Sequence, residues 1–230
     1  MRITPVHVAL IAVFAALQAV LSTLPFTITV GVEGQITLGL IGGALIGVLF
    51  GPFIGGLAVL IGSFIGVFMN PAGAILGIFT VIPPFLGSVG AGCVKIKRGY
   101  VAGGIILAAL LLFYANPVGR EVIAYPWFYI VGMIVAFSPL AYVAGSAFSS
   151  KKLAKPALGI VIASLVGVLT DGMAGSGIAM WYFSGLPPEI WSSIMFIYPM
   201  ERIVALVITS TIAIPVYYGL QTSGLARLIE

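Results

Sequence analysis

The stretch Gly39-Leu40-Ile41-Gly42-Gly43-Ala44-Leu45-Ile46-Gly47-Val48-Leu49-Phe50-Gly51-Pro52-Phe53-Ile54-Gly55-Gly56-Leu57-Ala58-Val59-Leu60-Ile61-Gly62-Ser63-Phe64-Ile65-Gly66 decides the class of this chain. It holds no charge, and Ser63 is its one hydroxyl. It lies inside a longer uncharged run, residues 34–94. Further out, residues 3–32, 99–119, 122–150 and 203–226 are uncharged as well. A charge at the centre of a bilayer is expensive, so membrane spans exclude it. The basic residues gather instead in short breaks, Lys95, Lys97 and Arg98, then Lys151, Lys152 and Lys155. The chain therefore reads as an all-α, polytopic membrane bundle in which the charges mark the turns. Residues 1–230 form a single integral membrane domain, with no linker long enough to separate two.

Composition points the same way. The chain is 61% hydrophobic and 7% charged, against about a quarter charged in soluble proteins. Its net charge of +4 does not indicate nucleic acid, because the basic residues sit at helix ends rather than on one face. The single cysteine, Cys93, has no intrachain partner and lies in an apolar run, so it reads as a small packing residue. No cleavable signal is evident, since the first apolar stretch, residues 6–24, is already as long as a span.

A span takes roughly 20 residues, and eight segments qualify as candidates: 5–24, 36–50, 52–69, 74–94, 99–114, 127–148, 156–182 and 196–220. With eight, the breaks at Arg2, Lys95–Arg98, Lys151–Lys155 and Arg227 share one side. Basic loops stay in the cytoplasm, so both termini and the Gly51-Pro52 turn are expected there. The outer side then holds residues 25–35, 70–73, 115–126 and 183–195, which include Glu33, Arg120, Glu121 and Glu189. Trp127 and Trp191 fall at loop ends, where aromatic belts sit.

Small residues recur at helical spacing. Gly39, Gly43, Gly47, Gly51 and Gly55 are four apart, as are Gly62 and Gly66. Such a face lets neighbouring backbones approach closely. Ala12 and Ala16 form a small pair on the first span, and Ala15 and Ala19 another. That face either packs internally or receives another subunit.

Several chemistries find no support. There is no phosphate-cradling G-x-x-x-x-G-K-[ST]. His7 is the one histidine and sits near a span's start, which leaves neither a His-based metal site nor a Ser/His/Asp set. The chain thus reads as no enzyme, with no cofactor and no metal.

The polar residues that do lie in spans are few. Asp171 interrupts the seventh segment in Leu169-Thr170-Asp171-Gly172-Met173-Ala174-Gly175, about 22 Å along a helix counted from Pro156. An intramembrane carboxylate marks a functional site by default, and the glycines after it are able to break the helix and open backbone groups to a cavity. The alternatives are a structural salt bridge or a helix cap. Glu201-Arg202 opens the eighth segment just after Tyr198-Pro199. Adjacent helical residues point about 100° apart, so one of the two pairs with Asp171 or a ligand while the other faces headgroups. Arg202, with its planar fork, is the better ligand for a carboxylate or phosphate. Trp181, Tyr182, Trp191 and Tyr198 surround this region and suit a flat ring-bearing molecule, or else belong to an aromatic belt.

With these residues in view, the chain resembles the substrate-binding S components of energy-coupling-factor (ECF) transporters. The first carrier of the likeness is Ala9-Leu10-Ile11-Ala12-Val13-Phe14-Ala15-Ala16-Leu17. The second is Gly47-Val48-Leu49-Phe50-Gly51-Pro52-Phe53-Ile54-Gly55-Gly56, followed by Ile61-Gly62-Ser63-Phe64-Ile65-Gly66. The third is Tyr198-Pro199-Met200-Glu201-Arg202-Ile203-Val204, running into Ile214-Pro215. The resemblance implies a catalytically inert cell-membrane subunit that captures a vitamin-like molecule from outside. It also implies two kinds of partner: a transmembrane T component, docked on the small face Ala12, Ala15 and Ala16, and two cytoplasmic ATPases. The ligand would be held by the first outer loop, with Glu33, and by the last helices, with Asp171, Trp181, Tyr198, Glu201 and Arg202. The family's six helices against eight segments here imply an extra hairpin, residues 99–148. The rival reading is a stand-alone secondary transporter or permease, but no inverted repeat between the halves supports it.

Overall fold

The computed structural model describes residues 4–26, 36–150, 154–183 and 185–225. It is a helical bundle. Helix α1 (Pro5–Thr23) begins with a proline at its first position, where the missing N–H is not needed. The Thr4 N–H donates to His7 Nδ1 at 3.2 Å and closes the start of the helix. A ladder of two-residue strands, β1 (Pro25–Phe26) and β2 (Ile36–Thr37), pairs antiparallel after it.

Helix α2 (Gly39–Met69) reverses direction at Gly51. There φ is 80° and ψ 179°, a conformation that glycine alone adopts without strain. Pro52 follows and has no N–H to continue the first half. The reversal is visible in the packing, because a Cβ on Gly55 would lie 2.9 Å from the Ile46 carbonyl oxygen. Residues 39–50 and 52–69 are therefore antiparallel neighbours. Lys95 Nζ donates to the Leu49 carbonyl, one of the acceptors left free where the first half ends.

Two 3₁₀ turns, Pro71–Gly73 and Gly77–Val81, lead into α3 (Ile82–Lys95). Then come α4 (Gly99–Ala115), the short α5 (Pro117–Glu121), α6 (Trp127–Phe137) and α7 (Pro139–Ala147). Helix α8 (Ala154–Tyr182), α9 (Pro188–Ile194) and α10 (Ile197–Thr222) complete the chain. Helix α8 is the hub, packed against α2, α3, α4, α6, α7 and α10.

Glycines set the helix distances. A Cβ on Gly43 would lie 2.7 Å from the Pro84 carbonyl oxygen, and one on Gly62 2.6 Å from Gln18 Cβ. The spaced glycines thus serve packing within the chain, where close backbone approach replaces a hydrophobic drive between helices. Gln18 fastens α1 to both halves of α2. It is fully buried, and its Nε2 donates to the Gly39 carbonyl and to Ser63 Oγ, each at 3.0 Å.

Among the described residues, five helices are long and apolar enough to cross a membrane, or six if the α6–α7 pair is one span. The eight expected segments appear in a different form. Segments 36–50 and 52–69 are the two arms of α2, segment 99–114 is a 17-residue apolar helix, and segment 127–148 is bent by 67° at Ser138. Pro139 cannot supply the N–H a continuous helix would need, and Ser138 Oγ caps the new helix by accepting from the Leu140 N–H at 3.2 Å.

The two ends of the bundle differ. Gly92 meets the Gly51-Pro52 turn, and Lys95, Lys97 and Arg98 lie at that basic end. Phe14 packs against Phe50 with ring centroids 4.2 Å apart and the rings tilted by 43°, so α1 rises away from this end. The Tyr217 hydroxyl donates to the Phe148 carbonyl at 2.7 Å, so α10 returns to it. The start of α1 and the end of α10 thus both lie toward the basic end. Arg2, Lys151, Lys152 and Arg227 lie outside the described residues.

Candidate functional site

A cavity of about 400 Å³ opens at the end opposite the basic one. Its walls come from α2 (Ser63, Gly66), the turn after it (Asn70, Leu76), the start of α3 (Pro83, Pro84), α8, α9 and α10. At its floor, Arg202 Nη1 donates to Asp171 Oδ1 at 3.2 Å. Asp171 is 5% exposed and Arg202 9%. Helices α8 and α10 run antiparallel, and Val168 packs with Ala205 beneath the pair. Three residues further along each helix, about 4.5 Å, this register brings position 171 opposite position 202.

Helix α8 does not break after Asp171; it continues unbroken to Tyr182. The expected broken helix is corrected on a physical ground. An uninterrupted helix satisfies its own backbone groups in lipid, and the glycines instead make room. Gly172 receives the Tyr129 ring and Arg202, while Gly177 takes the Ala109 carbonyl, 2.9 Å from where its Cβ would be.

Glu201 is 1% exposed and does not face headgroups. Turned about 100° from Arg202, it lies one turn from Ala205, which packs with Leu40, Ile41 and Ala44 of α2. Its Oε1 is 4.0 Å from Arg202 Nη2. It stands behind the cavity and is not among the residues lining it.

The aromatic residues divide. Tyr198 lines the cavity. Trp181 does not: its ring is about half exposed, and its Nε1 donates to the Leu112 carbonyl at 2.8 Å, on the α4 side of α8. Trp191 is the reverse case, because it is no belt residue but is 3% exposed and lines the cavity. Tyr125 joins it, with ring centroids 5.2 Å apart, and also stacks on Phe113 at 5.2 Å. Ser176 Oγ donates to the Gly172 carbonyl at 2.9 Å, which leaves the Tyr125 hydroxyl as donor in its 3.0 Å bond to Ser176. Burial raises the Tyr125 phenol well above its ordinary value, so it stays protonated for that role. Tyr125 of the cavity wall was not singled out by the sequence, whereas Trp191 was named there both as a partner for a flat ring-bearing molecule and as a belt residue. A tyrosine before a proline in a connecting stretch carries no periodic signal.

Glu33 lies outside the described residues. The proposed docking set also divides. Ala12 and Ala16 are exposed on the outer face of α1, whereas Ala15 is 4% exposed. Its carbonyl meets Gly62, so Ala15 belongs to the internal contact with α2 and not to an outer face.

Comparison with known proteins adds a family. A family model described as "ECF-type riboflavin transporter, S component" matches residues 2–180. That match includes Asp171 and stops before α9 and α10, so Trp191, Tyr198 and Arg202 are assigned from geometry alone. An uncharacterized protein of Methanocaldococcus jannaschii is 31% identical over 165 residues, covering 72% of this chain and 55% of that protein. The matched region thus spans about half the length of this relative. No solved structure matches.

Proposed function

The chain belongs to the family of ECF-type riboflavin transporter S components, and on that premise we propose that its cavity captures a small vitamin-like molecule from outside the cell. As a family member it is a multi-pass, substrate-binding transporter subunit. The observation that carries the proposal is the 400 Å³ cavity, floored by a buried ion pair at the end of the bundle away from the basic residues. Ligand pockets are concave, largely apolar and supplied with a few placed polar groups, and this cavity has that composition. The basic end is then cytoplasmic, and the cavity end faces outward from the cell membrane.

The sequence holds no phosphate-cradling G-x-x-x-x-G-K-[ST] motif, which fits a subunit driven by a transmembrane T component and two cytoplasmic ATPases. We assign the exposed small face of α1, Ala12 and Ala16, to contact with the T component. Close approach at small residues is how membrane helices associate without a hydrophobic drive. Native mass spectrometry of the detergent-purified chain tests the capture reading. The expected result is a retained small molecule released by collisional activation. A chain that stays unliganded even after incubation with a vitamin mixture contradicts it.

A further inference from the structure

Ser63 is the one hydroxyl of the uncharged stretch 39–66, and it lines the cavity together with Ser22. Both serines face a single atom. Gln18 Nε2 is 3.0 Å from Ser63 Oγ and 3.4 Å from Ser22 Oγ. The same nitrogen donates to the Gly39 carbonyl at 3.0 Å. A carbonyl only accepts, so that bond fixes which end of the Gln18 amide is nitrogen. An amide nitrogen in turn only donates. Both serine oxygens therefore turn lone pairs toward Gln18, and their O–H groups point elsewhere. Among the described residues, neither O–H has an acceptor.

Gln18 itself is fully buried and is not part of the lining, so its role toward the cavity runs through the serines. Thr80 repeats the pattern. It lines the cavity, and its Oγ1 accepts from the Leu76 N–H at 3.0 Å. A donor in a cavity takes its acceptor from water or from the occupant. An occupant that displaces the water without replacing its hydrogen bond loses affinity.

From this fixed polarity we infer that Ser22 and Ser63 select a ligand carrying an oxygen acceptor, and that Gln18 is the positioning residue that holds both hydroxyls as donors. The aromatic lining, Tyr125, Trp191 and Tyr198, comes from other elements than α1 and α2. The acceptor therefore belongs on a substituent of the ligand's ring. This inference rests on the reading that the cavity holds a ligand. It goes beyond the family's description by assigning recognition to named side chains, and it holds whatever the protonation of Asp171.

The test keeps the ring constant and removes the oxygens. Calorimetric titrations of the full chain in lipid nanodiscs would compare riboflavin with lumiflavin, which has the same ring but a methyl group in place of the hydroxylated chain. Riboflavin is expected to bind the parent at least tenfold more tightly. Ser22→Ala with Ser63→Ala should cut that advantage at least fivefold while leaving lumiflavin affinity nearly unchanged. Gln18→Met, of similar shape but without the N–H groups, should cut it at least threefold; the serine variants carry the test if Gln18→Met fails to fold. Equal affinity of the parent for the two flavins overturns the inference and leaves the capture reading intact. So does a riboflavin advantage that survives both serine substitutions. Binding of neither flavin also overturns it, and the capture reading is then decided by the vitamin mixture.

Discussion

Asp171 and Arg202 hold each other in a place that neither would occupy alone. Leaving one partner of a buried ion pair unmatched is strongly destabilising, and both are more than nine-tenths buried. At the cavity floor, Asp171 Oδ2 is buried without a hydrogen-bond partner among the described residues. A desolvated polar contact left half-made costs about 1–3 kcal/mol, or roughly 5- to 150-fold in affinity. Asp171→Asn and Arg202→Gln should each weaken ligand binding by that much, as equilibrium dialysis would show, and each should also lower thermal stability. Unchanged affinity in both would make the pair a purely structural bridge. These two residues were legible in the sequence because a charge in an apolar run is conspicuous. Trp181 and Trp191 were not distinguishable, since a few tens of degrees of helix rotation decide whether an indole meets a cavity or a neighbouring carbonyl. Composition is silent on that rotation.

Helix α1 presents two faces with different work. Ala15, Gln18 and Ala19 are buried, whereas Ala12 and Ala16 are exposed. If the outer face docks the T component, Ala12→Leu with Ala16→Leu should abolish uptake in cells while ligand affinity stays within about twofold, because each added isobutyl group blocks close helix approach. Parallel loss of binding and uptake would place that face in the internal packing. Ala15→Leu should behave differently and lower thermal stability, since overpacking a tight contact typically costs about 1–3 kcal/mol. At this scale, what the sequence revealed depended on backbone chemistry. The Gly51-Pro52 reversal was readable, because a glycine followed by a residue without an N–H leaves a helix few ways to go on. The bend at Ser138 carried a similar Ser-Pro signal, but the surrounding apolar run masked it. The glycines after Asp171 misled. Glycine both loosens a helix and lets it pack closely, and here α3, α4 and α6 close around α8.

For the whole molecule, the basic break Lys95, Lys97 and Arg98 and the cavity lie at opposite ends. From that polarity we expect position 97 in the cytoplasm and positions 120 and 188 outside. Single-cysteine labelling of intact cells, in a Cys93→Ala background, should label 120 and 188 with an impermeant reagent and leave 97 unlabelled. Labelling at 97 from outside would invert the assignment. The charges alone suggested one basic end, whereas the cavity depends on how several separate elements meet.

The account's central claim is that this cavity, and no other surface, holds the ligand. Gly175 lines it, and a Cβ there would sit 3.5 Å from Pro83, an ordinary contact, so a larger side chain has room to enter without breaking the fold. The direct measurement is equilibrium binding of the co-purified molecule to the parent chain and to Gly175→Leu, with thermal stability followed in parallel. The predicted result is a loss of at least tenfold in affinity at nearly unchanged melting temperature. Equal affinity in a well-folded Gly175→Leu would contradict the claim and place the ligand elsewhere on the protein.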